Sequence, residues 1–236
     1  MKKSHLFRPR EDQVAELTRG QSLPLVPLHE EHLRCIAAVL NRAWNDLMAD
    51  RRATLLSGAE AELNSLMEIR LNALLEIDGL WGLLARNVAR GKETISFDGS
   101  HLEKRPDLSI YLTDRSPSFP LIVECKLIDV RRRKTVDLYC EDGLLRFVRG
   151  DYGWATREAF MLAYVRDNST IVACLRPFLH ESRTKQPDVY RTDALPESIS
   201  ESDMHVARSS HNREFRYVGL GNGPGAIAIW HLWIAA

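Results

Sequence analysis

Apolar residues recur at three- and four-residue steps through the first third of the chain, and alternate or run unbroken over short stretches after it. From Leu28 to Arg52 the positions Leu33, Ile36, Ala37, Leu40, Trp44 and Leu47 trace one face, which predicts an amphipathic helix. Ser57-Gly58 break the pattern. A second helix is predicted from there, with Glu60 and Glu62 in a first turn whose N–H groups favour acids. Its apolar face carries Leu63, Leu66, Met67, Leu71, Leu74 and Leu75. The apolar character continues past Gly79 to about Ala89, with Gly91 as its stop. Before these helices, residues 1–27 are charged and then punctuated by Pro24 and Pro27. They predict a loose arm with one short helix near Glu11 to Arg19.

The rest reads mostly as strands. Ile95 and Phe97 alternate with Thr94, Ser96 and Asp98, which predicts a strand over Glu93 to Asp98. Pro106-Asp107 opens a second, in which Asp107, Ser109 and Tyr111 share one face and Leu108, Ile110 and Leu112 the other. After a polar loop closed by Pro120, Leu121 to Leu127 forms a third. There Leu121, Val123, Cys125 and Leu127 face one way, and Glu124 and Lys126 the other. The three predict an antiparallel meander. A helix over Asp137 to Arg149 stops at Gly150. Ala159 to Val165 is a fully apolar run that predicts a buried strand, with a helix at its start as the alternative, since short apolar runs fit both. Ser169-Thr170 caps a helix through Leu179. Residues 182–203 are polar, with Pro187 and Pro196, and predict a long loop. Val206 to His211 predicts a short edge strand, and Ala226 to Ala235 a last buried one. Between these two, Gly219 to Gly225 lacks a Lys-Ser/Thr pair and leads into a strand, so it reads as a plain loop.

Composition narrows the partners. Lys+Arg and Asp+Glu are both 32, giving zero net charge. Contact with nucleic acid must therefore come from a local patch. The four cysteines, Cys35, Cys125, Cys140 and Cys174, are scattered, with no C-x-x-C pair. That pattern speaks against structural zinc and a disulfide framework. No secretory signal or membrane-length apolar run is present, so a cytoplasmic location is expected.

The chemistry concentrates between Lys104 and Leu127. An isolated Glu-x-Lys reads as an ion pair on a half-exposed strand. The reading changes because Pro106-Asp107 stands one hairpin earlier, so Asp107 can approach Glu124 on a neighbouring strand. Two carboxylates beside a lysine make a Mg²⁺ site with a positioned cation. Pro-Asp, a spacer, then Glu-x-Lys in an apolar strand resembles the PD-(D/E)XK nuclease superfamily. The matching residues are Pro106, Asp107, Glu124 and Lys126. The resemblance is good over residues 57–165 and weak beyond.

That resemblance implies an α/β fold with a restriction-endonuclease-like core: a central mixed β-sheet flanked by helices, spanning residues 57–236, with residues 1–56 as an N-terminal helical extension. It implies a metal-dependent hydrolase that cuts phosphodiester bonds in DNA ahead of RNA, in an anti-phage or restriction setting. Asp107 and Glu124 would hold Mg²⁺, for which Mn²⁺ can substitute, with the Cys125 carbonyl as a further ligand. Lys126 would orient or help deprotonate the attacking water. Members often add a glutamate from the preceding helix. Glu60, Glu62 and Glu68 are the candidates, and Glu62, beside the buried stripe, is preferred.

For phosphate binding the run Arg131-Arg132-Arg133-Lys134 stands just past the site, extended by Arg146 and Arg149 and by His211 and Arg213. The other reading of the run is a solvated turn. The rival function is a catalytically silent, nuclease-like binding or scaffold subunit. In either case the helical extension implies a homo-oligomer or a place in a larger complex.

Overall fold

The computed structural model describes residues 10–100, 104–200, 203–217 and 221–236. The first nine residues of the arm and the start of the glycine-rich loop, Gly219 and Leu220, lie outside them. The arm contributes α1 (Glu11–Thr18), and α2 (Glu30–Ser57), α3 (Glu60–Ile77) and α4 (Gly79–Leu84) follow. The strands and helices after them are β1 (Ala85–Ala89), β2 (Leu108–Leu112), β3 (Leu121–Ile128), α5 (Val136–Tyr139), α6 (Leu145–Arg149), β4 (Glu158–Val165), α7 (Arg176–Thr184), β5 (Thr192–Ser200), β6 (Asp203–His211) and β7 (Ile227–Ala235).

One seven-stranded sheet runs in the order β1-β2-β3-β4-β7-β6-β5. β3, β4 and β7 are parallel, and the outer pairs on each side are antiparallel. The fold is thus α/β, a mixed sheet covered on both faces. The central parallel strands are buried on both sides, which is why β4 (EAFMLAYV) shows no alternation. One face packs against α2, α3 and α4 through Ile36, Leu40, Trp44, Met67 and Leu71. The other meets α5, α6 and α7 through Tyr139, Phe147, Leu175 and Leu179. α2 is tied directly to the sheet: Trp44 Nε1 donates to the Ala235 carbonyl at 2.7 Å. The Arg166 guanidinium donates to the Leu55 and Gly58 carbonyls at its C-terminal end.

Four expectations change. The helix predicted to run to Ala89 ends at Leu84, and the next five residues form the edge strand β1. Asn72 of α3 covers that edge, donating to Val88 O at 2.8 Å and accepting from Val88 N at 2.9 Å. Among the described residues, the strand predicted over Glu93 to Asp98 forms only a single bridge, Thr94 with Lys104. Its apolar residues Ile95 and Phe97 pack instead with Val14, Phe119, Trp154 and Tyr217 in a small separate cluster. The loop predicted over 182–203 holds the end of α7 and all of β5. β5, not β6, is therefore the edge strand. Finally, the helix over Asp137 to Arg149 is interrupted by a π turn at Cys140–Leu144. Gly143 in that turn has no room for a side chain, since a Cβ there would sit 2.5 Å from Met161 Cε and 3.5 Å from Lys126 Cε.

Candidate active site at the β2–β3 fork

β2 and β3 pair from Ile110↔Leu121 to Leu108↔Val123, and then part. Beyond that point β3 would expose the backbone groups of Cys125 and Leu127 on the side β2 has left, and buried N–H groups need partners. Two carboxylates supply them. Asp107 Oδ2 accepts from Cys125 N at 2.8 Å, and Glu60 Oε2 from Leu127 N at 2.8 Å. Asp107 Oδ1 also accepts from Asn64 Nδ2 at 2.8 Å, and Asn64 Oδ1 accepts from the Tyr164 hydroxyl at 2.9 Å. The acids therefore stand at the fork because they finish the sheet's hydrogen bonding there.

Lys126 sits at the centre. Its Nζ is 2.8 Å from Glu124 Oε1, 2.9 Å from the Cys125 carbonyl, and 3.8 Å from both Asp107 Oδ2 and Glu60 Oε1. From α6, Arg146 Nη1 reaches Glu124 Oε1 at 3.1 Å and the Tyr152 hydroxyl at 2.9 Å. Glu124 is 1% exposed. Burial and the neighbouring Asp107 raise its pKa to about 7, against the pull of Lys126 and Arg146. Burial likewise raises Glu60, with Lys126 opposing. Burial disfavours the charge on Lys126, but Glu124, Glu60 and Asp107 outweigh it and hold its pKa above that of an ordinary lysine. Three carboxylates thus face two permanent cations.

Among the described residues no group of three His, Cys, Asp or Glu side chains is arranged to hold a metal ion. The donors at the fork nevertheless suit Mg²⁺, which takes one or two carboxylates and keeps several waters. Asp107, Glu124 and the Cys125 carbonyl are all oxygen donors turned toward Lys126 Nζ. Glu124 Oε2 is buried without a hydrogen-bond partner among the described residues, an orphan that a cation would satisfy.

Of the three helix acids, Glu60 is the one that reaches the fork. The preferred Glu62 is exposed on α3, and Glu68 accepts from Arg90 N at 3.1 Å. The helical phase explains this. Glu60 lies three and four residues before the buried Leu63 and Asn64, and Glu62 does not share their face. Asn64 was missed by sequence reasoning. Its signal was an amide on an otherwise apolar helical stripe.

The phosphate-binding expectations divide. Arg131, Arg132 and Arg133 are exposed on a tight turn capped by Asp129, and Lys134, also exposed, is near enough to Glu60 to lower its pKa. Arg149 is exposed as well. Arg146 is instead engaged by Glu124 and Tyr152. His211 and Arg213 are corrected outright, because both are buried. Arg213 donates to the carbonyls of Gly153, Thr156, Pro224 and Gly225 at 2.9–3.1 Å and ties the loop before β7 to the loop before β4.

His211 belongs to a buried chain. Its Nδ1 meets the Tyr190 carbonyl at 2.8 Å and its Nε2 the Ser209 hydroxyl at 2.8 Å. Ser209 meets His231 Nε2 at 2.7 Å, and His231 Nδ1 meets the Tyr139 hydroxyl at 2.8 Å. A carbonyl only accepts, so His211 Nδ1 donates. With both rings neutral each remaining proton is then placed: Ser209 to His211, His231 to Ser209, Tyr139 to His231.

Comparison of the chain with protein-family models, curated proteins and solved structures gave no match. Among the described residues no helix is long and apolar enough to cross a membrane.

If the exposed run holds phosphates, replacing Arg131 to Lys134 together with Ala weakens nucleic-acid binding and flattens its salt dependence by up to about four charges. Thermal stability should barely change, since all four side chains are exposed. An unchanged slope of affinity against salt returns the run to a solvated turn.

Proposed function

We propose that this chain is a metal-dependent nuclease with a restriction-endonuclease-like core, acting on DNA ahead of RNA. One observation carries the reading: Asp107, Glu124 and Glu60 converge on the Lys126 ammonium where β2 leaves β3, and the second oxygen of Glu124 is buried there without a partner among the described residues. A structural ion pair would need one acid for Lys126, not three.

Asp107, Glu124 and the Cys125 carbonyl would hold Mg²⁺ or Mn²⁺, which supplies an activated water and neutralises charge on the phosphate. The protein residues do the rest. Lys126, held as an ammonium by its acidic neighbours, is a fixed positive charge that orients the water and stabilises the phosphate oxygens as the transition state forms. As an ammonium it has no lone pair for a proton. Glu60, with its pKa raised by burial and its Oε1 turned to the same centre, is the carboxylate placed to take the proton from water. The water oxygen bonds to phosphorus, the ester P–O bond breaks, and the leaving oxygen acquires a proton. Arg146, on α6 over the same sheet face, keeps Glu124 in place from the side away from β2 and α3. The exposed run Arg131 to Lys134 lies one turn past β3, where a flanking phosphate would pass.

The test is incubation of supercoiled plasmid and of RNA with Mg²⁺ or Mn²⁺, against EDTA. The expected result is nicking or linearisation only with metal, abolished in Asp107→Ala. Absence of both cleavage and calorimetric metal binding would favour the silent binding subunit instead.

A further inference from the structure

The fork has a neighbour. A cavity of about 280 Å³ opens on the Glu124 face of the sheet, walled by Tyr111 of β2, Phe119 of the β2–β3 loop, Ile122 of β3, and Tyr152 and Trp154 after α6. Ile122 precedes Glu124 by two residues on the same face, a separation of roughly 6.6 Å along the strand. Tyr152 is a shared wall, since its hydroxyl accepts from the same Arg146 Nη1 that holds Glu124.

The lining is largely aromatic and aliphatic. The polar exceptions are the hydroxyls of Thr94, Ser118 and Thr156, the exposed Glu93, whose carboxylate is paired with Arg105, and the exposed Lys92, whose Nζ lies 5.1 Å from the centre of the Tyr111 ring. Thr156 Oγ1 shares its one proton between the Gly153 and Glu158 carbonyls, both at 3.0 Å, so toward a ligand it can only accept. The size is just under the roughly 300–1,000 Å³ of sites for whole small molecules. It suits one ring system and excludes a stacked base pair. Flat aromatic walls, hydroxyls that accept or donate, a cation at the mouth and a phosphate-handling centre within one nucleotide's reach fit a single class of ligand.

We infer that this cavity receives one unstacked nucleobase from the strand whose phosphate lies at the Asp107–Glu124 centre, so that the substrate is single-stranded or locally opened there. The phosphate's position rests on the nuclease reading above, while the cavity and its walls do not. Lys92 pairs with the phosphate on the solvent side of that base. Stacking on aromatic walls is indifferent to base identity, and hydroxyls present no fixed donor pattern. The cavity therefore selects strandedness rather than sequence.

The test measures binding in EDTA, where cutting does not intervene. The probes are a short single-stranded oligonucleotide carrying 2-aminopurine, the same strand as a duplex, and a base-free sugar-phosphate chain of equal length. The single strand should bind about tenfold more tightly than either of the others, with a change in 2-aminopurine emission. Ser118→Phe, at the exposed mouth, should erase that preference and leave the affinity for the base-free chain unchanged. Equal affinity for all three probes overturns the inference, as does a preference that survives Ser118→Phe. Plasmid cleavage is scored separately. Metal-dependent cutting without any base preference removes the cavity from the account and keeps the nuclease. Base-dependent binding without cutting under any condition keeps the cavity and removes the nuclease.

Discussion

Lys126→Ala is expected to cut nucleic acid about 10² to 10³ times more slowly than the parent while still binding metal. The ammonium bonds Glu124 and the Cys125 carbonyl and lies between Asp107 and Glu60. Without it, three carboxylates face only Arg146, and the buried Glu124 loses its closest partner. Breaking a buried pair this way costs roughly 3–5 kcal/mol, here toward the lower end because Arg146 remains. A divalent cation can take over the vacated centre. Mg²⁺ should therefore raise the unfolding midpoint of Lys126→Ala more than that of the parent, by the usual linkage of binding to stability. In Asp107→Ala a principal ligand is gone, so neither cutting nor metal-dependent stabilisation should survive. The measurements are single-turnover cleavage and denaturant melts with and without Mg²⁺. Parental cleavage rates in Lys126→Ala would make this lysine a structural partner only. Equal midpoint shifts in all three proteins would remove the metal from the fork.

The second large effect is on acid stability. His211 and His231 are fully buried, and burial is the main cause that lowers their pKa values, to about 4 for His211 and well below the ordinary value for His231. Both nitrogens of each neutral ring, one donor and one acceptor, are committed within the chain that joins Tyr139, Ser209 and Tyr190. Above the unfolded histidine pKa of roughly 6.5 the two states bind the same protons here, and the full contribution is present. As pH falls below it, the unfolded chain takes up two protons; the folded chain refuses the one at His211 until about pH 4 and the one at His231 until well below the ordinary histidine range. Each histidine then removes about 1.4 kcal/mol of stability per pH unit. Glu124 acts in the opposite sense over much of the same window. Its folded pKa of about 7 lies above the unfolded value, so its contribution is retained at low pH and lost as pH rises. The histidine part is isolated by comparing urea melts of the parent and His231→Gln from pH 7 to pH 5. The variant's stability should fall less steeply with acid, by about 1.4 kcal/mol per unit. Parallel curves would mean that His231 is protonated in the folded state.

The legible parts of the fold were those where burial dominates. β3, β4 and β7 are central, so their apolar runs read as buried strands, although the short run of β4 also left a helical start open. β1 and β5 are edges. Ala85-Arg86-Asn87-Val88-Ala89 carries polar side chains that solvent accommodates, while Asn72 satisfies the Val88 backbone, and it reads as the tail of the preceding helix. β5 contains Pro196 and two acids, tolerable only where no second neighbour needs the backbone. Ile95 and Phe97 alternate as a strand does, yet they pack on the arm, a tertiary choice that alternation cannot reveal. At the site, Asp107, Glu124 and Lys126 were readable because strand spacing alone brings them to one end of one hairpin. Glu60 required the phase of α3, and Arg146 the π turn that sets the end of α6. His211 and Arg213 looked like surface chemistry in the polar stretch SSHNR, but burial gives one a carbonyl and a serine as partners and the other four carbonyls.

The carboxylates at the fork hold two occupations of different durability. Asp107 and Glu60 cap strand N–H groups, so losing either disturbs the sheet whether or not the chain cuts anything. Lys126 has a structural duty too, as the closest partner of the buried Glu124, but one acid would satisfy it. A homologue that retains Asp107 and Glu60 would thus say little about its own activity.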